Sequence, residues 1–205
     1  MDGQRISLFP LAGALLLPGA HLPLHIFEPR YRALVSDALA RDRLIGMVQP
    51  SDNEPVPHLY DVGCLGRIVE CDALSDGRYN IILSGLSRFR ILRELDVTTP
   101  FRQVEAEVEP EGKEGDAALA PVERAALERE AQRFAEHLGY MVDWSAVSRL
   151  DDAALVNGIA QVAPFDVASK QSLLEARSLS DRVERIIQLM QFFGMMDRNG
   201  PATLQ

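Results

Sequence analysis

Lysine is nearly missing from this 205-residue chain: of its 21 basic residues only Lys113 and Lys170 are lysines. Chemistry that depends on a lysine is therefore confined to two positions. Neither stands in a GxxxxGK[ST] run, the loop whose backbone amides cradle nucleotide phosphates. Lys113 lies between Gly112 and Glu114, and Lys170 follows Ser169. Cysteine is scarce too. The spacing of Cys64 and Cys71 fits no zinc pattern, which takes four ligands in close pairs. Both read as small buried apolar residues in a reducing compartment. No apolar run approaches the roughly 20 residues that cross a bilayer. The stretch 8–17 is broken by Pro10 and Gly13 and followed by Pro18-Gly19, so it reads as part of a cytoplasmic protein rather than a secretion signal. No serine stands in a G-x-S-x-G elbow.

What is present is an ordinary globular composition, with 47% apolar and 25% charged residues. The formal charge is -9. Divided after Pro110, the chain carries 11 basic against 15 acidic residues, then 10 against 15. Neither part is basic, so a phosphate backbone is not an expected partner. The length suits one large domain or two small ones.

Two regimes meet near residue 110. Before it, short apolar segments bounded by Pro and Gly predict strands at 5–9, 22–26, 44–49, 65–71, 78–84, 89–95 and 101–108. Asp76-Gly77 marks a tight turn, because that pair tolerates positive φ. One helix interrupts them. Pro29 suits a first helical turn, and Tyr31, Leu34, Val35, Ala38 and Leu39 form one apolar stripe opposite Arg32, Asp37 and Arg41. Residues 111–121 form a polar linker. Helical periods follow. Leu127, Ala131, Phe134, Ala135 and Leu138 mark the first helix. Asp151 or Asp152 caps a second, which stops before Pro164, and Asp166 caps a third through Glu175. Ser180 caps the last, with Gly194 as its stop. These signals divide the chain into 1–110, the 111–121 linker, 122–197 and a 198–205 tail.

Several runs resemble the N-terminal domain family of the Lon proteases. They are Phe9-Pro10-Leu11, Leu17-Pro18-Gly19, Leu22-Pro23-Leu24 and, most specifically, Ile26-Phe27-Glu28-Pro29-Arg30-Tyr31. Gly63 to Ile68, the turn at 76–79, and Gly85 with Arg88-Phe89-Arg90-Ile91 extend the likeness. So do Pro164-Phe165-Asp166, Lys170-Gln171 and Leu173-Leu174-Glu175. The resemblance implies an α+β fold: an N-terminal PUA-like antiparallel β-barrel with one inserted helix, then a C-terminal helical bundle. It also implies recognition of unfolded or tagged proteins, without the ATPase and Ser-Lys protease modules of the full enzyme. A separate protease as partner and a homo-oligomer remain open. So do two other readings, an RNA-associated PUA-like domain and an unrecognised hydrolase.

Candidate residues follow. Leu22, Leu24 and Phe27 are candidates for lining a peptide groove. Glu28, with Pro29, Arg30, Tyr31 and Arg88, reads as a structural element. Its carboxylate is expected to cap the helix and pair with a buried arginine, Arg30 or Arg88. Met190, Phe193, Met195 and Met196, with Phe192, make a cluster of adaptable apolar groups that either folds onto the bundle or docks a partner or a second copy. His21, His25 and Glu28 are spaced as metal ligands only on a helix. In a strand the two histidines stand about 13 Å apart, so neither a metal nor a cofactor is expected. His58 and His137 have no partner readable in the sequence, which leaves no catalytic triad marked.

Overall fold

The computed structural model describes residues 3–110 and 118–198, with side chains through residue 195. The fold is mixed α+β: among the described residues, six strands form one sheet and six helices accompany it. The order is β1 (Gln4–Pro10), β2 (His21–Ile26), α1 (Pro29–Leu39), β3 (Leu44–Val48), β4 (Val62–Ala73), β5 (Tyr79–Glu94) and β6 (Gln103–Val108). Then come α2 (Pro121–His137), α3 (Trp144–Val147), α4 (Asp152–Val162), α5 (Val167–Leu174) and α6 (Leu179–Arg198). The sheet runs β2-β5-β4-β3-β1-β6, and β6 pairs again with β5. Pairing therefore closes on itself through five strands, around a small core of Ile6, Leu8, Val48, Leu65, Phe89 and Val104. β2 lies outside that ring, hydrogen-bonded to the first half of β5.

The main core lies between this sheet and the helices. It is filled from an unlikely source, the irregular segment after β1, where Leu15, Leu16 and Leu17 are fully buried. A buried stretch without regular structure has backbone groups to satisfy, and side chains of the helices satisfy them. Lys170 Nζ donates to Gly13 O at 2.9 Å and to Gln161 O at 3.0 Å. Gln161 Nε2 donates to Leu15 O and His21 O, and Asn157 Nδ2 to Pro18 O. From the sheet side, Gln49 Oε1 accepts from Gly13 N, while its amide reaches Val167 O and Gln171 Oε1. Gln171 in turn donates to Val62 O. Beneath them Arg182, wholly buried, donates to Leu173 O and Asn157 Oδ1. Burial away from water pushes the Lys170 ammonium below its ordinary pKa.

Several expectations are corrected. The two segments 78–84 and 89–95 form one strand, the 16-residue β5. Gly85 interrupts nothing: it lies in extended backbone against Leu17 O, which a Cβ there would meet at 2.1 Å. The α6 cap is Ser178, whose Oγ accepts from Asp181 N at 3.0 Å; Ser180 sits inside the first turn. Gly194 does not stop α6, which runs on to Arg198. Cys64 is buried, but Cys71 is exposed in the outer half of β4. The Asp76-Gly77 turn forms with Gly77 at φ 81. The linker residues 111–117 and the tail residues 199–205 lie outside the described residues. No helix among the described residues is long and apolar enough to cross a membrane.

Candidate functional site

The helical half carries an open apolar cleft, and local sequence explains its shape. α2 ends where Gly139 adopts φ 72. Gly139 N donates to Glu136 O and Tyr140 N to Ala135 O, the paired bonds of a left-handed helix stop. The chain then turns back across the bundle. Asp143 caps the single turn of α3 by accepting from Ser145 N and Ala146 N, which sets Trp144 and Val147 three residues apart on one side. Asp151 caps α4 by accepting from Ala154 N at 2.7 Å. Leu155, Ile159 and Val162 of α4 then face Phe134 of α2 across the cleft. Its volume is about 220 Å³. An apolar cavity of about 150 Å³ already holds a benzene ring, so one aromatic or branched side chain fits. Gly158 keeps the floor low, since a Cβ there would meet nothing within 4 Å. The rim is unusually bare: Val162 is 79% exposed, Tyr140 53% and Leu150 42%.

The sequence candidates are placed as follows. Leu22 and Leu24 are half-buried and pack against the main core. Phe27 is 61% exposed, with its ring stacked 6.1 Å from that of His25. The three do not converge on one groove. A shallow trough of about 600 Å³ does lie beside them, lined by Leu24 with Pro23, His25, Glu70, Asp72 and Asn80. His25 Nδ1 lies 2.7 Å from Asn80 Oδ1, and Arg78 donates toward its Nε2. His21 and His25 both belong to the extended β2.

Glu28 occupies the N-cap position of α1 but its side chain makes no capping bond. The carboxylate instead pairs with Arg30 at 2.9 Å, and that arginine is exposed, not buried. Pro29 takes the first turn as expected. Arg30 also lies 4.5 Å over the Tyr31 ring, and Tyr31 Oη donates to Pro10 O. Arg88 serves another place altogether. Its guanidinium pairs with Glu109 at 2.9 Å and donates to Leu174 O and Ala176 O at the end of α5.

The α6 cluster divides in two. Met190 is buried in the core and lines the cleft. Phe193 is half-buried, 5.6 Å from the ring of Phe165 and 5.7 Å from that of Phe192. Met195 is 57% exposed, and the side chain of Met196 lies outside the described residues. One pair was not readable in the sequence: His58 Nδ1 lies 2.6 Å from Asp52 Oδ2 within an exposed loop. Its hydrogen bonds are among those that hold Asp52 below the ordinary carboxylate range, the largest being the Glu54 amide.

Known proteins share this architecture. The sequence pattern of the ATP-dependent protease La (LON) substrate-binding domain matches residues 5–191. Lon protease 2 of Sorangium cellulosum is 31% identical over 203 residues, covering 92% of this chain and 25% of that protein. Lon protease 2 of Myxococcus xanthus is 26% identical, covering 91% and 23%. The chain thus spans about a quarter of the length of the curated relatives it matches. Among solved structures, a Lon N-terminal domain protein from Xanthomonas campestris superposes with a TM-score of 0.65 at 25% identity, covering 90% of this chain and 98% of that one. The N-terminal domain of a Mycobacterium avium complex Lon protease gives 0.66 at 17% identity, covering 92% and 98%, a likeness of fold alone.

Proposed function

Because the chain belongs to the family of Lon substrate-binding domains, we propose that it is a non-catalytic module that holds unfolded or tagged proteins by their exposed apolar side chains. The observation that carries this reading is the bare cleft between α2, α3 and α4. Apolar side chains left open to water at a concave surface favour a partner that covers them. In this reading the ring of strands is a PUA-like barrel that supports the helices, and the cleft takes one client side chain at a time. The matched relatives carry the domain as about a quarter of a protease. We read these residues as supplying the holding step, in the cytoplasm, with the cutting done by a protease module that they do not contain.

Val162 tests this directly. It is exposed on the rim, so Val162→Asp leaves the fold unchanged while placing a charge where an apolar side chain must lie. Titration of a permanently unfolded protein against the wild type should saturate, and the variant should bind about tenfold more weakly, the effect of roughly 1.4 kcal/mol. Equal binding by both proteins moves the site away from the cleft. No binding by either removes the client-holding reading.

A further inference from the structure

We propose that a second, polar cleft, lined by β5 and the turn between α5 and α6, receives the C-terminal carboxylate of a client peptide, with Arg90 and Arg177 as its receptors. This deepens the client-holding reading and rests on it. The cleft encloses about 590 Å³ and is lined by Asp61, Arg88, Arg90, Glu109, Glu175 and Arg177. That is within the range of small-ligand sites.

Two elements bring the guanidiniums together. Arg88 and Arg90 stand two residues apart on β5, so both point to one face of the sheet about 7 Å apart. Arg88 then grips Leu174 O and Ala176 O, which pins the turn between α5 and α6 over that face and carries Arg177 with it. The carboxylates are not equivalent to one another. Glu109 is engaged by Arg88 at 2.9 Å, and Glu175 accepts from the buried Gln171 at 2.8 Å. Arg90 and Arg177, by contrast, make no side-chain hydrogen bond or ion pair among the described residues. Two exposed forks of donors therefore line the cleft without an acceptor among the described residues, and guanidinium forks match the two oxygens of a carboxylate.

The surrounding charge selects among anions. Three carboxylates line the same cleft, so a dianion such as phosphate meets more repulsion than a monoanion does. A peptide terminus brings one negative charge together with amide N–H groups. Those amides have acceptors in Asp61 and in the free oxygen positions of Glu175. A C-terminal carboxylate thus satisfies both signs of the lining, and inorganic phosphate satisfies one.

The test uses the full chain and one short neutral peptide made in two forms, with a free C-terminal acid and with a C-terminal amide. The free acid should bind about tenfold more tightly, the loss of one charge-assisted bidentate pair. The R90Q/R177Q protein should bind both forms alike; both side chains are exposed, and its melting curve verifies the fold. Equal binding of acid and amide by the wild type, with an unfolded client still bound, overturns this proposal and leaves the client-holding reading standing. A preference for the acid that survives in R90Q/R177Q overturns it too, because the carboxylate then lies elsewhere. Displacement of the acid peptide by equimolar inorganic phosphate overturns the choice of a monoanion. Absence of binding by any peptide or unfolded client overturns both readings together.

Discussion

Gly85 illustrates how much a single residue decides here. Its backbone is extended and no turn requires it. What requires it is Leu17 O, 2.1 Å from where a Cβ would stand. The same backbone is held from both sides, since Gly19 N donates to Gly85 O and Gly85 N to Ala20 O. Neither the strand nor the loop can move without losing these bonds. Gly85→Ala should therefore destabilise the protein by about 3 kcal/mol or more, the upper range for overpacking, measured by urea unfolding. Gly158→Ala provides the contrast: its Cβ enters open space within α4, and the gain in helix propensity should raise stability by up to about 1 kcal/mol. Lys170 shows the same discipline with a polar group. A buried ammonium is costly unless its protons find acceptors, and it finds two carbonyls from two different segments.

At the scale of elements, aspartates start three helices of the second half, α3, α4 and α5. Asp166 accepts from Ser169 N at 2.7 Å at the head of α5. Asp152 accepts from Leu119 N and pairs with Arg124 at 2.6 Å, tying α4 to α2. Asp166→Ala should cost about 1 kcal/mol, the usual worth of such a cap. These contacts also set a pH dependence. Asp166 is held below the ordinary carboxylate range first by the Ser169 amide, Asp152 by the Leu119 amide and then Arg124, and Asp143 by the Ser145 hydroxyl. Unfolded aspartates titrate near 3.9. Near and below that value the unfolded chain takes up protons before the folded one, so stability is full above about pH 5 and is lost as acid carries the pH through the folded values. A melting temperature that stays flat from pH 6 to about pH 5 and drops steeply below pH 4 is the expected profile.

The elements were largely legible where one period dominates. Pro29 and the stripe from Tyr31 to Leu39 announced α1, and Asp151 and Asp166 announced their helices. Legibility failed where tertiary contacts overrule local signals. Gly85 and Gly194 look like breaks, yet one answers a close approach and the other is an ordinary helical residue. The cleft itself was not readable. Tyr140, Val142, Trp144, Val147 and Leu150 share no single period, because only Trp144 and Val147 lie in a helix and the others in loops beside it. Leu22 and Leu24, which are readable as apolar, are half-buried against the core, and Leu24 also lines the trough beside β2.

For the whole molecule, the sequence signals divide the chain at the 111–121 linker, and residues from both sides of it share one core. Leu15, Leu16 and Leu17 belong to the first half by sequence and pack in the same core as Leu155, Phe165 and Ile186 of the second. Truncation after residue 110 would expose that apolar surface and orphan the carbonyls of Gly13, Leu15 and Pro18. The expectation is a single cooperative unfolding transition, with coincident curves from far-ultraviolet circular dichroism and Trp144 fluorescence, and a 1–110 fragment that fails to give a cooperative transition. Two separated transitions would instead restore the two-unit description.

Lys170 gives this seam a clock. The chain has only two lysines, and the amine of this one is shut between the irregular segment and α4. A water-soluble acylating reagent reaches it only while the junction stands open. Its rate of modification, read by mass spectrometry against a free lysine under the same conditions, reports how often the seam parts, long before the protein as a whole unfolds. A composition poor in lysine thus leaves the molecule with a nearly background-free chemical reporter at the joint that holds its halves together.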